Sequence, residues 1–230
     1  MGGCGEFFST HPIRATLRTP GMEIASNRPR AHVLVLPGGK PVSTSAARPW
    51  HLSALRMTLL TESLRSRLSM YDITVGQVHY TYRGWNGDRM SPVHDALRAL
   101  DEVRRRRGDV RIGLVGHSMG GRVAAHLAAQ PGVGAVVALA PWWPEDDGAL
   151  VPPERRLLVV HGTADTWCDP RVSAVQTARA RGRGVDAQFR PLAGGGHFLL
   201  TKPGWWHAVT AEFLRESLAP AGRGAGGDHA

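Results

Sequence analysis

Cysteine and long apolar runs are scarce in this sequence. Its 230 residues include two cysteines, Cys4 and Cys168, which lie far apart along the chain. Two distant thiols favour neither a disulfide framework nor a thiolate metal site. No apolar run approaches the roughly 20 residues that a helix needs to cross a bilayer. The first residues also lack a basic segment followed by an apolar stretch, the mark of a secretory signal, so we expect a cytoplasmic protein.

Lysine is almost absent among the basic residues. Lysines and arginines number 28 against 19 acidic residues, for a formal net charge of +9, yet only Lys40 and Lys202 are lysines. Such a charge is compatible with binding to nucleic acid or to an anionic membrane. The arginines are spread along the chain, however, and their densest run, at 104–107, ends a predicted helix, where cations suit the helix dipole. Because the sequence has no nucleic-acid motif, we expect no nucleic-acid partner. Because it has no long apolar run, we expect no membrane span.

Short apolar segments alternate with longer amphipathic ones along most of the chain. The apolar segments predict strands at 32–37, 73–80, 110–115, 135–139, 157–160 and 186–191. Helices are predicted at 50–68, 92–106, directly after residue 118, at 171–181 and at 205–218. This alternation is typical of an α/β fold, with a mostly parallel central sheet and helices on both faces.

The predicted boundaries describe a single domain over residues 1–230. Tails at about 1–9 and 219–230 are expected to be flexible, because their glycine and proline content disfavours a packed structure. Residues 13–18 form a candidate edge strand. The predicted helix at 50–68 is expected to place six leucines on one broad face: Leu52, Leu55, Leu59, Leu60, Leu64 and Leu68.

A serine flanked by glycines follows the third predicted strand. The segment GHSMG at 116–120 matches the GxSxG pattern of a nucleophile elbow, in which the serine lies on a sharp turn between a strand and a helix. Gly116 and Gly120 would lack side chains because that turn brings the two backbones into contact. A phosphate-binding turn is the alternative, but neither GxGxxG nor GxxxxGK[ST] is present. Ser118 is therefore the candidate nucleophile.

A serine hydroxyl is a weak nucleophile, so it needs a base and an acid that orients the base. Asp165 follows a predicted strand in the segment HGTAD, and His197 follows the next strand in GGGH. The order Ser, Asp, His is the one found in hydrolases with a nucleophile elbow. Asp169 is an alternative acid, less favoured because it directly precedes Pro170 and suits a helix N-cap.

Four other histidines are interpreted as structural. His161 opens the turn before Asp165, and His117 adjoins the serine but is expected to point away from it. His126 and His207 fall in predicted helices. Because no HxxxH or HExxH pairing is present, the sequence predicts no metal site and no cofactor.

The three motifs together resemble the α/β-hydrolase superfamily, from about residue 32 to residue 218. GHSMGG, HGTAD and GGGH match the nucleophile, acid and histidine motifs of that family in order and in strand context. The resemblance is to its small serine hydrolases and esterases, similar to dienelactone hydrolases and without a large cap domain. It implies the α/β-hydrolase fold and a catalytic triad of Ser118, Asp165 and His197.

The same resemblance implies an oxyanion hole on the loop after the first strand, in the segment LPGGK. Pro37 stands there in place of the more usual histidine. The implied donors are the backbone amides of Gly39 and Met119, with the amide of Lys40 as the alternative to that of Gly39. A glycine at this position lets the backbone approach a substrate oxygen.

Pocket residues are harder to predict. The connection between the strands at 135–139 and 157–160 has only about 16 residues, too few for a cap domain. Trp142 and Trp143 follow the first of these strands and are candidates for an apolar pocket, with packing beneath the loop as an equal alternative. Trp85 and Lys40 are further candidates.

The predicted function is hydrolysis of a small-molecule carboxylic ester, or of a thioester or lactone, through an acyl-enzyme. A non-catalytic binding protein of the same fold, an acyltransferase and a peptidase are the alternatives.

Overall fold

Six parallel strands form the central sheet of the computed structural model, which describes residues 29–219. They are β1 (Ala31–Leu36), β2 (Ile73–Gln77), β3 (Arg111–His117), β4 (Val133–Leu139), β5 (Arg156–Gly162) and β6 (Asp186–Leu192). The strand order is β2-β1-β3-β4-β5-β6, and every neighbouring pair is parallel. Each strand coincides with one of the predicted apolar segments. The α/β fold and the parallel sheet predicted from the sequence are therefore confirmed.

Helices cover both faces of this sheet. They are α1 (Leu52–Leu68), α2 (Ser91–Arg107), α3 (Met119–Leu127), α4 (Pro170–Gly182) and α5 (Pro203–Ser217). Side chains alternate across each strand. In β1, Val33 and Val35 therefore pack in the core that α1 and α5 cover, while Leu34 and Leu36 pack in the core that includes α2 and α3. The sheet is buried on both sides, as continuous apolar strands require.

The predicted apolar face of α1 is wrong in its first half. Leu52, Leu55 and Leu59 are exposed. An α-helix advances by about 100° per residue, so these three leucines centre on the side of the helix roughly opposite to the middle of its buried stripe. The stripe that faces the sheet is buried instead: Met57, Leu60, Thr61, Leu64 and Leu68.

The carboxyl ends of the parallel strands bring distant segments to one edge of the sheet. Ser118 follows β3, Asp165 lies on the loop after β5, and His197 lies on the loop after β6. The loop that contains Gly39 leaves the same edge after β1. Ligands of open α/β sheets bind at this edge.

Some predictions fall outside the part of the chain that the structure describes. They are the tail at 1–9, the candidate strand at 13–18, and all but the first residue of the tail at 219–230. Within residues 29–219, no helix combines the length and the apolar character needed to cross a bilayer.

Candidate active site

Ser118 has a strained backbone at the junction of β3 and α3. Its φ of 55° and ψ of −118° lie in a region that side-chain-bearing residues rarely adopt. A Cβ on Gly116 would lie 2.0 Å from the carbonyl oxygen of Gly120, and a Cβ on Gly120 would lie 2.0 Å from that of Leu36. Only glycine permits these approaches, so the glycine spacing and the strained serine are parts of one turn.

A chain of hydrogen bonds joins Ser118, His197 and Asp165. His197 Nε2 lies 3.0 Å from Ser118 Oγ, and His197 Nδ1 lies 2.8 Å from Asp165 Oδ2. All three residues are buried. The Nδ1–H group donates to the carboxylate, which leaves Nε2 to accept the serine hydroxyl proton. The structure thus brings together the three residues that the motifs indicated.

Asp165 accepts hydrogen bonds at both carboxylate oxygens. The backbone amides of Trp167 and Cys168 donate to Oδ1 at 2.8 and 2.9 Å, and His161 Nε2 lies 3.0 Å from Oδ2. Burial raises the pKa of this carboxyl, but the hydrogen bonds from Cys168, His197 and Trp167 outweigh it, so the pKa falls below its usual value. Asp165 is therefore an anion at neutral pH.

The alternative acid, Asp169, is used elsewhere. It is the N-cap of α4, and its Oδ1 accepts a hydrogen bond from the amide of Arg171 at 2.9 Å. Its side chain is partly exposed, whereas that of Asp165 is fully buried against His197. The geometry distinguishes two carboxylates that lie four residues apart in the sequence.

A second histidine, His161, contacts the same carboxylate. Its Nδ1 lies 2.7 Å from Ser173 Oγ, and its Nε2 lies 3.0 Å from Asp165 Oδ2. Burial lowers the pKa of His161, so the ring is neutral. A neutral ring that faces a carboxylate carries its proton on Nε2, and Nδ1 then accepts the Ser173 hydroxyl. The sequence analysis missed this contact, although the spacing of four residues in HGTAD was the available signal.

His117 holds the backbone of the histidine loop. Its Nε2–H group donates to the carbonyl oxygen of His197 at 2.9 Å. Burial lowers the pKa of His117 to about 3, so the ring is neutral. The sequence analysis interpreted His117 as structural, and did not foresee its contact with the loop of His197.

Hydrogen bonds also fasten the loop after β5 to the loop after β6. The amide of Ala164 donates to the carbonyl oxygen of Gly195 at 2.9 Å, and the amide of Gly194 donates to Thr163 Oγ1 at 3.0 Å. The acid and the histidine therefore sit on two loops that hold each other in register.

The predicted oxyanion loop lies against the nucleophile. Met119 begins α3, and amides in the first turn of a helix have no intrahelical acceptor. A Cβ on Gly39 would lie 2.4 Å from Met119 Cε, which shows how closely the two segments approach. The amide of Lys40 donates to the carbonyl oxygen of Arg83 at 2.8 Å and is already engaged. Of the two alternatives on this loop, the amide of Gly39 is the one that has no backbone acceptor within residues 29–219.

Two of the three candidate pocket tryptophans, Trp85 and Trp142, pack against a buried arginine. Trp85 and Trp143 are buried, and Trp143 Nε1 donates to the carbonyl oxygen of Gly121 at 3.2 Å. The guanidinium of Arg122 lies 4.2 Å from the ring centre of Trp85 and 5.1 Å from that of Trp142. We therefore assign Trp85 and Trp143 to packing rather than to the wall of a pocket, because both are buried, the ring of Trp85 faces this cation, and Trp143 is hydrogen-bonded to the backbone.

Acidic partners complete the surroundings of Arg122. Its Nε lies 2.8 Å from Asp147 Oδ1, and its Nη2 lies 2.8 Å from Glu145 Oε1. The side chains of Arg122 and Asp147 are 6% and 1% exposed, so their charges depend on each other for compensation. His126 Nε2 lies 3.3 Å from the same Asp147 oxygen. This cluster anchors the connection between β4 and β5.

An alpha/beta hydrolase family model matches the chain over residues 33–211. No curated protein matches the sequence.

Three solved structures illustrate the likeness of fold. A protein of unknown function from Agrobacterium tumefaciens superposes with a TM-score of 0.68 at 17% identity, over 85% of this chain and 91% of that one. Est1E from Butyrivibrio proteoclasticus with ferulic acid bound superposes with a TM-score of 0.62 at 13% identity, over 84% of this chain and 94% of that one. A serine hydrolase without a lid from Xanthomonas campestris superposes with a TM-score of 0.58 at 17% identity, over 86% of this chain and 87% of that one.

Proposed function

The chain belongs to the alpha/beta hydrolase family, and we propose that it is a serine hydrolase acting on small-molecule carboxylic esters, with thioesters and lactones as chemically close substrates. The observation that supports this most is the hydrogen-bonded chain from Ser118 Oγ through His197 to Asp165. Such a chain supplies a nucleophile, its base and the group that orients the base.

In the proposed first half-reaction, Ser118 is acylated. His197 Nε2 accepts the hydroxyl proton as Oγ attacks the ester carbonyl carbon, and Asp165 stabilises the resulting imidazolium. The amides of Gly39 and Met119 stabilise the negative charge on the tetrahedral oxygen. The C–O bond to the alcohol then breaks, and His197 gives its proton to the leaving oxygen. An alcohol departs and an acyl-enzyme remains.

The second half-reaction returns the enzyme to its starting state. His197 accepts a proton from a water molecule whose oxygen attacks the acyl carbon, and collapse of the intermediate releases a carboxylic acid and restores the Ser118 hydroxyl. The short connection between β4 and β5, residues 140–155, contains only a single 3₁₀ turn, Asp147–Leu150. A connection of this size supports access of water to the acyl-enzyme.

The solved structures of similar fold add modest support to this assignment. One is a serine hydrolase without a lid, and another has ferulic acid, a carboxylic acid, bound to it. A carboxylic acid is the product that ester hydrolysis by the proposed mechanism would release.

Labelling with a fluorophosphonate tests the proposal directly. The activated Ser118 oxygen is expected to displace fluoride from phosphorus and form one phosphonyl adduct. Intact mass and peptide mapping should find the adduct on the peptide that contains Ser118. Ser118→Ala should abolish the adduct, and His197→Ala should slow its formation, whereas Ser66→Ala, at an exposed serine of α1, should label like the wild type.

Two outcomes would contradict the proposal. One is that folded wild-type protein fails to label, and the other is that the adduct persists in Ser118→Ala. The first would favour a non-catalytic binding protein of the same fold, and the second would move the nucleophile to another residue.

His161 is expected to act as a positioning residue for Asp165. His161→Phe removes the donor to Oδ2, so kcat for ester hydrolysis should fall about tenfold, the effect of one hydrogen bond to a charged group. His161→Gln can place an amide N–H near the position of Nε2 and should keep kcat within about threefold of the wild type. Steady-state kinetics on the two variants provides the comparison.

The comparison of the two variants separates this role from a purely structural one. An equal loss of kcat in the Phe and Gln variants would reduce His161 to a packing residue.

A further inference from the structure

A cavity of about 150 Å³ opens beside the candidate oxyanion loop. Gly38 and Gly39 form one wall, and the others come from residues within 47–54 and 77–83. A Cβ on Gly38 would lie 3.5 Å from Ser118 Cβ. The cavity and the nucleophile therefore contact the same short stretch of backbone, so one substrate could reach both.

Positive charge is concentrated around this cavity. Arg48 and Arg83 line it, and no aspartate or glutamate does. Neither arginine forms an ion pair within residues 29–219. Desolvation, and then the charges of Arg83, Arg48 and Lys40, lower the pKa of His51, which places three cations around one ring.

The start of α1 adds to the same positive field. Ser53 and Ala54, in the first turn of this 17-residue helix, line the cavity. The first turn has no acidic residue, and the N-cap residue, His51, makes no side-chain capping bond. The positive end of the helix dipole therefore lacks the usual local compensation.

We propose that this cavity binds an anionic group of the substrate, a carboxylate or a phosphate, so that the preferred esters are negatively charged. The inference rests on the proposed ester hydrolysis and specifies its substrate class. Guanidinium groups form paired hydrogen bonds with carboxylate and phosphate oxygens, and an anion between Arg48 and Arg83 would relieve the repulsion between two uncompensated cations. The shared backbone would then place the ester carbonyl near Ser118.

A matched pair of esters tests the charge preference. The p-nitrophenyl monoester of adipic acid is an anion at pH 7.5, and p-nitrophenyl hexanoate is its neutral counterpart with an acyl chain of equal length. We expect kcat/KM of the wild type to be about tenfold or more higher for the anion. An ester of 5-phosphonopentanoic acid carries a phosphorus oxyanion in place of the carboxylate, so its kcat/KM shows which of the two anions is preferred.

Three variants test which arginines cause the preference for the anionic ester. Arg83→Gln and Arg48→Gln should each lower kcat/KM for the anionic ester about tenfold and leave the hexanoate value within about twofold. Arg179→Gln is the matched control, because this exposed arginine lies near the end of α4, away from the catalytic edge. It should change neither value.

Titration calorimetry tests the cavity without catalysis. Adipate or inorganic phosphate should bind the wild type and bind Arg83→Gln about tenfold more weakly. If the wild type cleaves hexanoate but shows no charge preference, or if the preference persists in both arginine variants, the anion proposal is overturned and ester hydrolysis stands. If no ester is cleaved, the proposed function fails, and the absence of binding heat for both anions would separately overturn the cavity assignment.

Discussion

Replacing Ser118 or His197 by alanine is expected to lower kcat for p-nitrophenyl butyrate by about 10⁶-fold. Without Ser118 no acyl-enzyme forms, and without His197 the hydroxyl has no base to take its proton. In the proposed mechanism the two residues act in one proton transfer, and their side chains are 3.0 Å apart. The double variant should therefore be no slower than either single variant, as steady-state rates with purified protein would show.

Asp165→Asn is expected to lower kcat less than Ser118→Ala or His197→Ala does. The amide can hold the imidazole in place, but it favours the tautomer with the proton on Nε2, so kcat should fall by about 10⁴-fold. Ser66→Ala, purified identically, should keep the wild-type kcat and so serves as the control for substitution and purification. If the losses in Ser118→Ala and His197→Ala multiplied in the double variant, the two side chains would act independently and the proposed proton transfer would be wrong.

Asp147→Asn is expected to lower the free energy of unfolding by about 3–5 kcal/mol. The substitution keeps the shape of the side chain but leaves the buried charge of Arg122 with only Glu145, whose side chain is 77% exposed. The indole faces of Trp85 and Trp142 attract the cation but cannot neutralise it. Urea unfolding followed by circular dichroism measures the loss.

Two controls distinguish a buried charge from a lost hydrogen bond. Glu62→Gln breaks a surface pair with Arg65 and should cost less than about 1 kcal/mol. The double variant Arg122→Met and Asp147→Leu removes both charges and should recover most of the stability lost in Asp147→Asn. A cost for Asp147→Asn no larger than that of Glu62→Gln would show that water compensates Arg122.

The fold and the three site residues could be predicted because their signals are local. Continuous apolar runs indicated the buried strands, and the glycines around Ser118 reflected a contact between β3 and α3 only a few residues apart. Asp165 and His197 were predicted because each lies in a short motif directly after a predicted strand, in the chain order Ser, Asp, His. The last three residues predicted for the strand at 73–80 lie beyond Gln77, where the ladder ends, although the amide of Val78 still donates to the carbonyl oxygen of Val35.

The remaining features depend on partners that the sequence does not reveal. From the sequence, Trp85 was a candidate for the pocket, but in the structure its ring packs against Arg122. Arg122 in turn pairs with Asp147, which lies 25 residues further along the chain. The cavity beside Gly39 depends on Arg48 and Arg83, which come from two different loops. Neither periodicity nor a motif connects such pairs, so only the packed structure reveals them.

The residues of the hydrogen-bonded chain at the site are far apart in the sequence, so bringing them together costs conformational entropy. Ser118 and His197 are 79 residues apart in the sequence, and Asp165 and His197 are 32 apart. Because closure entropy grows only with the logarithm of loop length, joining the more distant pair costs only about 0.8 kcal/mol more. Holding Ser118 at a positive φ costs on the order of 1–3 kcal/mol. For this molecule, the extra entropy cost of the longer of the two loops is thus smaller than the cost of holding Ser118 in a backbone conformation that it would not adopt alone.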